Sequence, residues 1–309
     1  MLRHLFLFLS EQSGIRKWME NSSVSKRFTR RFIAGETLDQ AIQVCAGLQR
    51  QGILSTLDHL GEKVTTLEEA ARSRDSCVEA IDTTIARRLP ATISLKLTQL
   101  GLDLSEEACL ENVRQLALWA RAAARSGACT STIEIDMESS AYTDRTVRVT
   151  SLAANEFGCV RAVMQAYLFR SAQDIDALNR QAIPVRLVKG AYEEPPSVAF
   201  AKKRDVDRNY VVLMKTLLER GVCPAIATHD ENIIDETLRH ARSLSLGPER
   251  FEFQMLYGIR RDLQRRIVDL GYRLRLYVPY GTEWYPYFMR RLAERPANVL
   301  FVIRNLLRA

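Results

Sequence analysis

From residue 50 onward the chain alternates between two hydrophobic rhythms. Short apolar or β-branched runs read as strands, and longer stretches with apolar positions three and four apart read as helices. Strand candidates begin near Ile53, Thr92, Thr132, Cys159, Ile183, Val222, Phe251 and Leu274, eight in all. Their spacing, roughly 25–40 residues, is what a parallel strand plus a crossover helix requires. Between them, Ser105-Glu106-Glu107 offers a cap-like helix start, followed by Leu110, Val113, Leu116, Ala117 and Ala120 on one face. The segments 205–220 and 231–245 have the same character. Eight βα units without a hydrophilic linker predict an α/β fold, a closed (β/α)₈ barrel over residues 51–309. An open doubly wound sheet is the alternative.

Residues 1–50 stand outside this rhythm and predict a helical N-terminal extension, with a turn at Gly35 and a helix from Thr37 to Gln49. The apolar run Leu5–Leu9 is followed at once by Glu11 and Gln12, with no small-residue cleavage site, and reads as a helix rather than a signal peptide. No run reaches the roughly 18 apolar residues of a membrane-spanning helix.

Composition changes this picture little. At 47% hydrophobic and 26% charged, with 14 Gly and 9 Pro in 309 residues, the chain is neither disordered nor fibrous. Its net charge of +7 raises the question of an anionic partner. The basic residues are dispersed, however, apart from short clusters such as Arg260-Arg261 and Arg265-Arg266, and read mostly as a solvated surface. The six cysteines show no C-x-x-C and no zinc-like spacing with histidine. They are expected to be reduced and buried, as in a cytoplasmic protein.

In a (β/α)₈ barrel the chemistry sits at the strand C-termini. Those ends carry Asp58, Lys96, Asp136 with Glu138, Gln165, Arg186 with Lys189, Thr228-His229-Asp230, Gln254, and Tyr277 with Tyr280. One polar residue ending a strand is an ordinary solvated boundary; polar groups on all eight form a pattern. There is no G-x-G-x-x-G, P-loop, H-E-x-x-H or G-x-S-x-G, and the four histidines have no ligand spacing, so no metal site is expected. After the last strand, Arg290-Arg291 follow an aromatic stretch. Such a pair is commonly surface, but it could also grip a carboxylate bidentately.

Several segments together carry a resemblance. Ile135-Asp136-Met137-Glu138, Arg186-Leu187-Val188-Lys189-Gly190-Ala191-Tyr192, Ala227-Thr228-His229-Asp230, Phe253-Gln254-Met255-Leu256-Tyr257-Gly258 and Tyr277…Arg290-Arg291…Glu294 resemble, in order, the flavin-dependent proline dehydrogenases. The Lys96 strand and Arg31-Phe32-Ile33-Ala34-Gly35-Glu36 fit the same family. The length is that of its compact monofunctional bacterial type, without an aldehyde dehydrogenase domain.

That resemblance implies a distorted barrel binding FAD at the strand C-termini. The implied reaction oxidises L-proline to Δ1-pyrroline-5-carboxylate and passes the electrons to a membrane quinone. Arg290 and Arg291 would hold the substrate carboxylate, with Lys96 and Glu294 completing a polar cage and Tyr277 and Leu256 lining the ring. Asp136 would organise the charges around the amine, ahead of serving as its base. Arg186 would donate to the flavin near N5; Gln165 would bond its pyrimidine edge, beside Met137. Lys189, Gly190 and Ala191 would cradle the phosphates, and Thr228 and His229 would contact the adenosine half. Two departures bear on cofactor packing: Glu193 follows Tyr192 where longer relatives often carry an aromatic residue, and Asp230 stands where many have Asn.

Two other classes remain in view. A Schiff-base barrel would use Lys96 or Lys189 as a neutral amine, which for Lys96 a neighbouring Asp136 opposes. A non-catalytic basic barrel binding nucleic acid or membrane would need clustered cations among stacking aromatics, but the aromatics concentrate in 277–288, away from most Lys and Arg; no nucleic acid partner is expected. A quinone acceptor makes peripheral contact with the inner face of the membrane a further expectation, and a homo-oligomer remains open.

Overall fold

The computed structural model describes residues 31–61, 64–121 and 132–294, with side chains described through Met289. The apolar N-terminal run Leu5–Leu9 lies outside these residues. Helix α1 (Leu38–Gln49) precedes β1 (Leu54–His59), α2 (Leu67–Ala86), β2 (Ala91–Leu95) and α3 (Glu106–Arg121). Next come β3 (Ile133–Ile135), α4 (Thr143–Phe157), β4 (Val160–Gln165), α5 (Ser171–Arg180) and β5 (Val185–Val188). The chain continues through α6 (Lys203–Arg220), β6 (Ala225–Ala227), α7 (Glu231–Ser243), β7 (Glu252–Leu256), α8 (Arg261–Asp269), β8 (Leu274–Tyr280) and α9 (Trp284–Glu294). All eight expected strands form, and they close into one parallel barrel in sequence order, β8 pairing back onto β1.

Local chemistry explains the helix starts. Thr37 with Gln40, and Thr66 with Glu69, make reciprocal capping boxes at α1 and α2. Ser105 accepts from Ala108 N at 3.2 Å and so caps α3 where the sequence marked its start. The alternation of each strand sends one set of side chains outward. Ile93, Ile135, Leu187, Ile226 and Phe253 join the core between sheet and helices.

The inward set is polar, which strand-end reasoning did not foresee. Barrel interiors are usually filled by layers of branched apolar residues. Here Thr56 and Thr92 share a 2.8 Å hydrogen bond, and Glu134, Arg161, Glu252 and Arg275 are all buried. Arg161 Nη1 donates to both Glu134 and Glu252 at 2.6 Å, and Arg275 Nε donates to Glu252 at 2.9 Å. Each charge is paired, the condition for burying it at all.

The helix wall is permuted at its seam. Helix α1 packs against β1 and β8, the place expected of the helix following β8. Helix α9 instead joins Trp284, Tyr285, Phe288 and Met289 to Ile33 and Leu60, the latter immediately past the C-terminal end of β1. The N-terminal extension is therefore both wall and cover. Ala34 N bonds Pro279 O at 2.9 Å and Gly281 N bonds Gly35 O at 3.0 Å, which ties residues 34–35 to the end of β8.

Cys45, Cys77, Cys109 and Cys159 are free and buried. Cys223, in the turn before β6, is disulfide-bonded, which corrects the expectation of reduced thiols throughout. Spacing along the chain carries no information on which sulfurs meet across the fold. Cys129 lies outside the described residues. Among the described residues no helix is long and apolar enough to cross a membrane.

Candidate active site

Barrel closure brings the inward residues of β1, β2, β3, β5 and β8 to one mouth. Lys96, just past β2, donates from Nζ to Asp58 Oδ1 at 2.6 Å and to Asp136 Oδ2 at 3.3 Å. The Tyr277 hydroxyl, from β8, donates to Asp136 Oδ2 at 2.7 Å. Arg186, on β5, donates from Nη2 to Asp136 Oδ1 and from Nη1 to Glu134 Oε2 at 2.7 Å. Its guanidinium carbon lies 5.3 Å from the centre of the Tyr277 ring, a cation–π distance. Asp136 thus receives donors from β5 and β8 and from Lys96 just past β2.

The charges hold one another. Burial works against ionising Asp136, but Arg186 and Lys96, with the bonds from Tyr277 and Ser94, keep its carboxyl below the ordinary range. Burial likewise opposes the Lys96 ammonium; Asp58 first, then Tyr277 and Asp136, hold it well above its usual value. Lys96 is therefore a fixed cation, contrary to what a Schiff-base lysine needs. Burial raises the Tyr277 hydroxyl well above a free phenol, and the nearby carboxylates add to this, so it remains a donor.

Glu138 accepts from Thr98 N at 3.1 Å and Thr98 Oγ1 at 2.7 Å, which fixes the turn after Lys96. A cavity of about 300 Å³ opens beside this cluster, with His59, Cys77, Ser94, Lys96 and Gln99 in its lining. That is at the small end of ligand sites.

The next sector, β4 to β6, holds the residues expected to meet a cofactor. Gln165 is buried and donates from Nε2 to Met137 O at 3.2 Å, while its Oε1 has no hydrogen-bond partner. The Arg186 Nε is also buried and unpartnered. The paired strands β4 and β5 thus carry one unused acceptor and one unused donor, although Arg161 Nε is unpartnered too. Gly190 has φ +113°, and a Cβ there would lie 2.4 Å from the Tyr167 ring, so glycine is required.

Three expected cofactor residues have protein partners. Lys189 Nζ donates to Asp207 at 2.5 Å and Asp230 at 2.9 Å, two carboxylates that compete with a phosphate for the same ammonium. His229 Nε2 accepts from Leu256 N at 2.9 Å, and the Thr228 hydroxyl accepts from Asp230 N at 3.1 Å. Ala191 is exposed, and Leu256 is half-buried at the end of β7. Arg290, Arg291 and Glu294 lie on the last turns of α9, but their side chains lie outside the described residues.

Sequence reasoning placed Lys96, Asp136, Arg186 and Tyr277 in one site, and they meet. It assigned no role to Asp58, the principal partner of Lys96, or to Glu134, Arg161, Glu252 and Arg275 beneath them. The signal for these was present: each is a charged residue at an alternating position within an otherwise apolar strand. Among the described residues no three His, Cys, Asp or Glu side chains are grouped as metal ligands would be.

A closed (β/α)₈ barrel with a paired-charge cluster at its C-terminal mouth and a helix folded over that mouth defines a barrel enzyme class. Within it, the proline dehydrogenase family profile matches residues 41–304, and the chain belongs to that family. It is 40% identical over 308 residues to proline dehydrogenase 1 of Bacillus subtilis (strain 168), covering 100% of both chains. It is 40% identical to the proline dehydrogenase of Deinococcus radiodurans, covering 90% of this chain and 89% of that one. Among solved structures, proline utilization A (PutA) from Bdellovibrio bacteriovorus, inactivated by N-propargylglycine, superposes with a TM-score of 0.82 at 26% identity. That match covers 94% of this chain but 36% of the PutA chain, so the present chain spans about a third of that protein.

Proposed function

We propose that this chain oxidises L-proline to Δ1-pyrroline-5-carboxylate with bound FAD, and that the electrons pass on to a quinone. The observation that carries this is the cluster of Lys96, Asp136, Arg186 and Tyr277 at the mouth of a barrel belonging to the proline dehydrogenase family. The protein residues fit a flavin. The unpartnered Gln165 Oε1 suits a ring N–H and the unpartnered Arg186 Nε suits a ring nitrogen acceptor. FAD, when bound, supplies the acceptor for the hydride leaving the carbon next to the proline nitrogen.

The chain's own groups orient and tune. Two fixed cations, Lys96 and Arg186, flank the place of the substrate amine and disfavour its protonated form, as hydride loss requires. Asp136 holds both cations; a carboxyl kept this acidic is a poor proton acceptor, so it organises rather than deprotonates. Arg290 and Arg291 on α9 would hold the carboxylate and Glu294 would complete the polar cage with Lys96, while Tyr277 and Leu256 would line the ring. Lys189, Gly190 and Ala191 take the phosphates, with Thr228, His229 and Met137 against the rest of the cofactor. To hold a phosphate oxygen, Lys189 would have to give up one of its two carboxylate partners, Asp207 or Asp230. Lys203, already paired with Asp207, retains that carboxylate. The acceptor being a membrane quinone, the protein works in the cytoplasm in peripheral contact with the inner membrane face.

The test is spectroscopic. Purified, FAD-reconstituted protein should bleach its flavin absorbance anaerobically with L-proline and not with other amino acids. Protein that takes up no flavin, or keeps an oxidised spectrum with proline, would sink the reading.

A further inference from the structure

The geometry points to Glu134 as a positioning residue that sets the Arg186 guanidinium from beneath the site. This inference rests on the proline-oxidation reading above. Glu134 sits on β3, one inward position below Asp136, and is fully buried. Its Oε2 accepts from Arg186 Nη1 at 2.7 Å, while its Oε1 accepts from Arg161 Nη1 at 2.6 Å and from Gln254 Nε2 at 2.9 Å. Gln254 in turn offers Oε1 to Arg186 Nη1 at 3.3 Å.

A guanidinium has five N–H donors in a rigid plane. On Arg186, Nη1 is engaged by Glu134 and Gln254, and Nη2 by Asp136 and Ser94. The Nε–H has no partner. Two carboxylates on opposite ends of the guanidinium therefore fix its plane, so that the single unspent donor has one direction. Asp136 alone, at the upper end, leaves the plane free to turn about that contact. Glu134 removes this freedom and is itself held by Arg161, which bonds Glu252, which in turn accepts from Arg275.

Glu134 also neutralises part of the Arg186 charge, and this separates positioning from simple stability. In Glu134→Gln the guanidinium is less compensated, so the midpoint potential of the bound flavin should rise. Its orientation is also lost, so flavin reduction at saturating L-proline should slow roughly tenfold, with KM for proline held within about twofold. A more oxidising flavin that nevertheless reacts more slowly is a pair of changes that loosened packing does not produce. Glu134→Asp keeps the charge but is one methylene shorter; it should slow reduction with little change in potential. In an Arg186→Lys background Glu134→Gln should add little to the slowing, because both changes act through one guanidinium.

The wild-type protein is the control. If proline does not bleach it, the functional reading fails. If proline bleaches it but both Glu134 variants keep wild-type rate and potential, the inference is overturned. Additive effects in the Arg186→Lys background overturn it as well. Failure of both variants to fold or to retain flavin would also overturn it, making Glu134 a residue of stability alone.

Discussion

Tyr277 and Asp136, 141 positions apart in the chain, meet through a 2.7 Å hydrogen bond from hydroxyl to carboxylate. That contact joins β8 to the end of β3 across the barrel mouth and pins the carboxylate that also receives Lys96 and Arg186. Tyr277→Phe removes the donor and leaves the ring. A lost hydrogen bond to a charged group is worth about 1.5 kcal/mol, so kcat/KM for proline should fall roughly tenfold. Flavin content should change little and thermal stability should fall by only a few degrees; steady-state kinetics, a spectrum and a melting curve of the variant check these.

Removing Lys96 exposes the other side of the same cluster. Asp58 is 1% exposed and Lys96 is its nearest cation, at 2.6 Å. Lys96→Met strands that carboxylate, and the cost should approach the lower end of the ~3–5 kcal/mol seen for broken buried pairs. Adding Asp58→Asn removes the stranded charge and should recover part of the loss without recovering proline oxidation. Urea unfolding of the three proteins reads this directly; a double variant no more stable than Lys96→Met would contradict it.

Acid should undo the fold through the interior carboxylates. Asp136 and Glu252 are both held below the ordinary range, against burial, by their arginine and lysine neighbours. A depressed folded-state value contributes stability that is complete above the unfolded carboxyl value, about 4, and that is lost as pH falls through the folded value. Urea midpoints should therefore hold between pH 7 and 5 and decline below pH 4. A midpoint flat to pH 2 would count against the pairing described.

The arginine pair on α9 has its own signature. Arg291→Met should weaken proline binding about 100-fold in kcat/KM, the value of a charge-assisted contact of roughly 3 kcal/mol, with flavin content intact. Loss of flavin with proline affinity unchanged would place Arg291 against the cofactor instead.

The buried thiols should be silent. Burial pushes Cys77 and Cys109 up to about 12 and Cys45 up to about 11. At pH 8 a thiol at 12 is ionised in roughly one molecule in 10⁴. Ellman's reagent should reach Cys45, Cys77, Cys109 and Cys159 only after denaturation, and rapid labelling of the native protein at any of them would show that it opens locally.

Much of this architecture was legible along the chain, because its causes are local. The runs at Thr92, Thr132 and Phe251, and the cap at Ser105, depend on neighbours a few residues away. The glycine at 190 is different: its requirement rests on the Tyr167 ring, 23 positions earlier, and along the chain it was visible only through the family resemblance. Asp58 was visible only as a polar strand end, since nothing near it in sequence points to Lys96, 38 positions on. Glu134 and Arg161 looked like lapses in hydrophobic runs. Only the parallel register that sets β3 beside β4 makes them partners.

The sequence by itself determined the count and type of elements and the family, since hydrophobic period, capping and short motifs are read within a window of residues. The tertiary structure decided which charges share an interior, that α1 takes the wall beside β8 while α9 covers the mouth, and that Arg186 keeps one donor unspent. Those facts depend on closing β8 against β1, and on burial that forces every enclosed charge to find a partner wherever in the chain it lies.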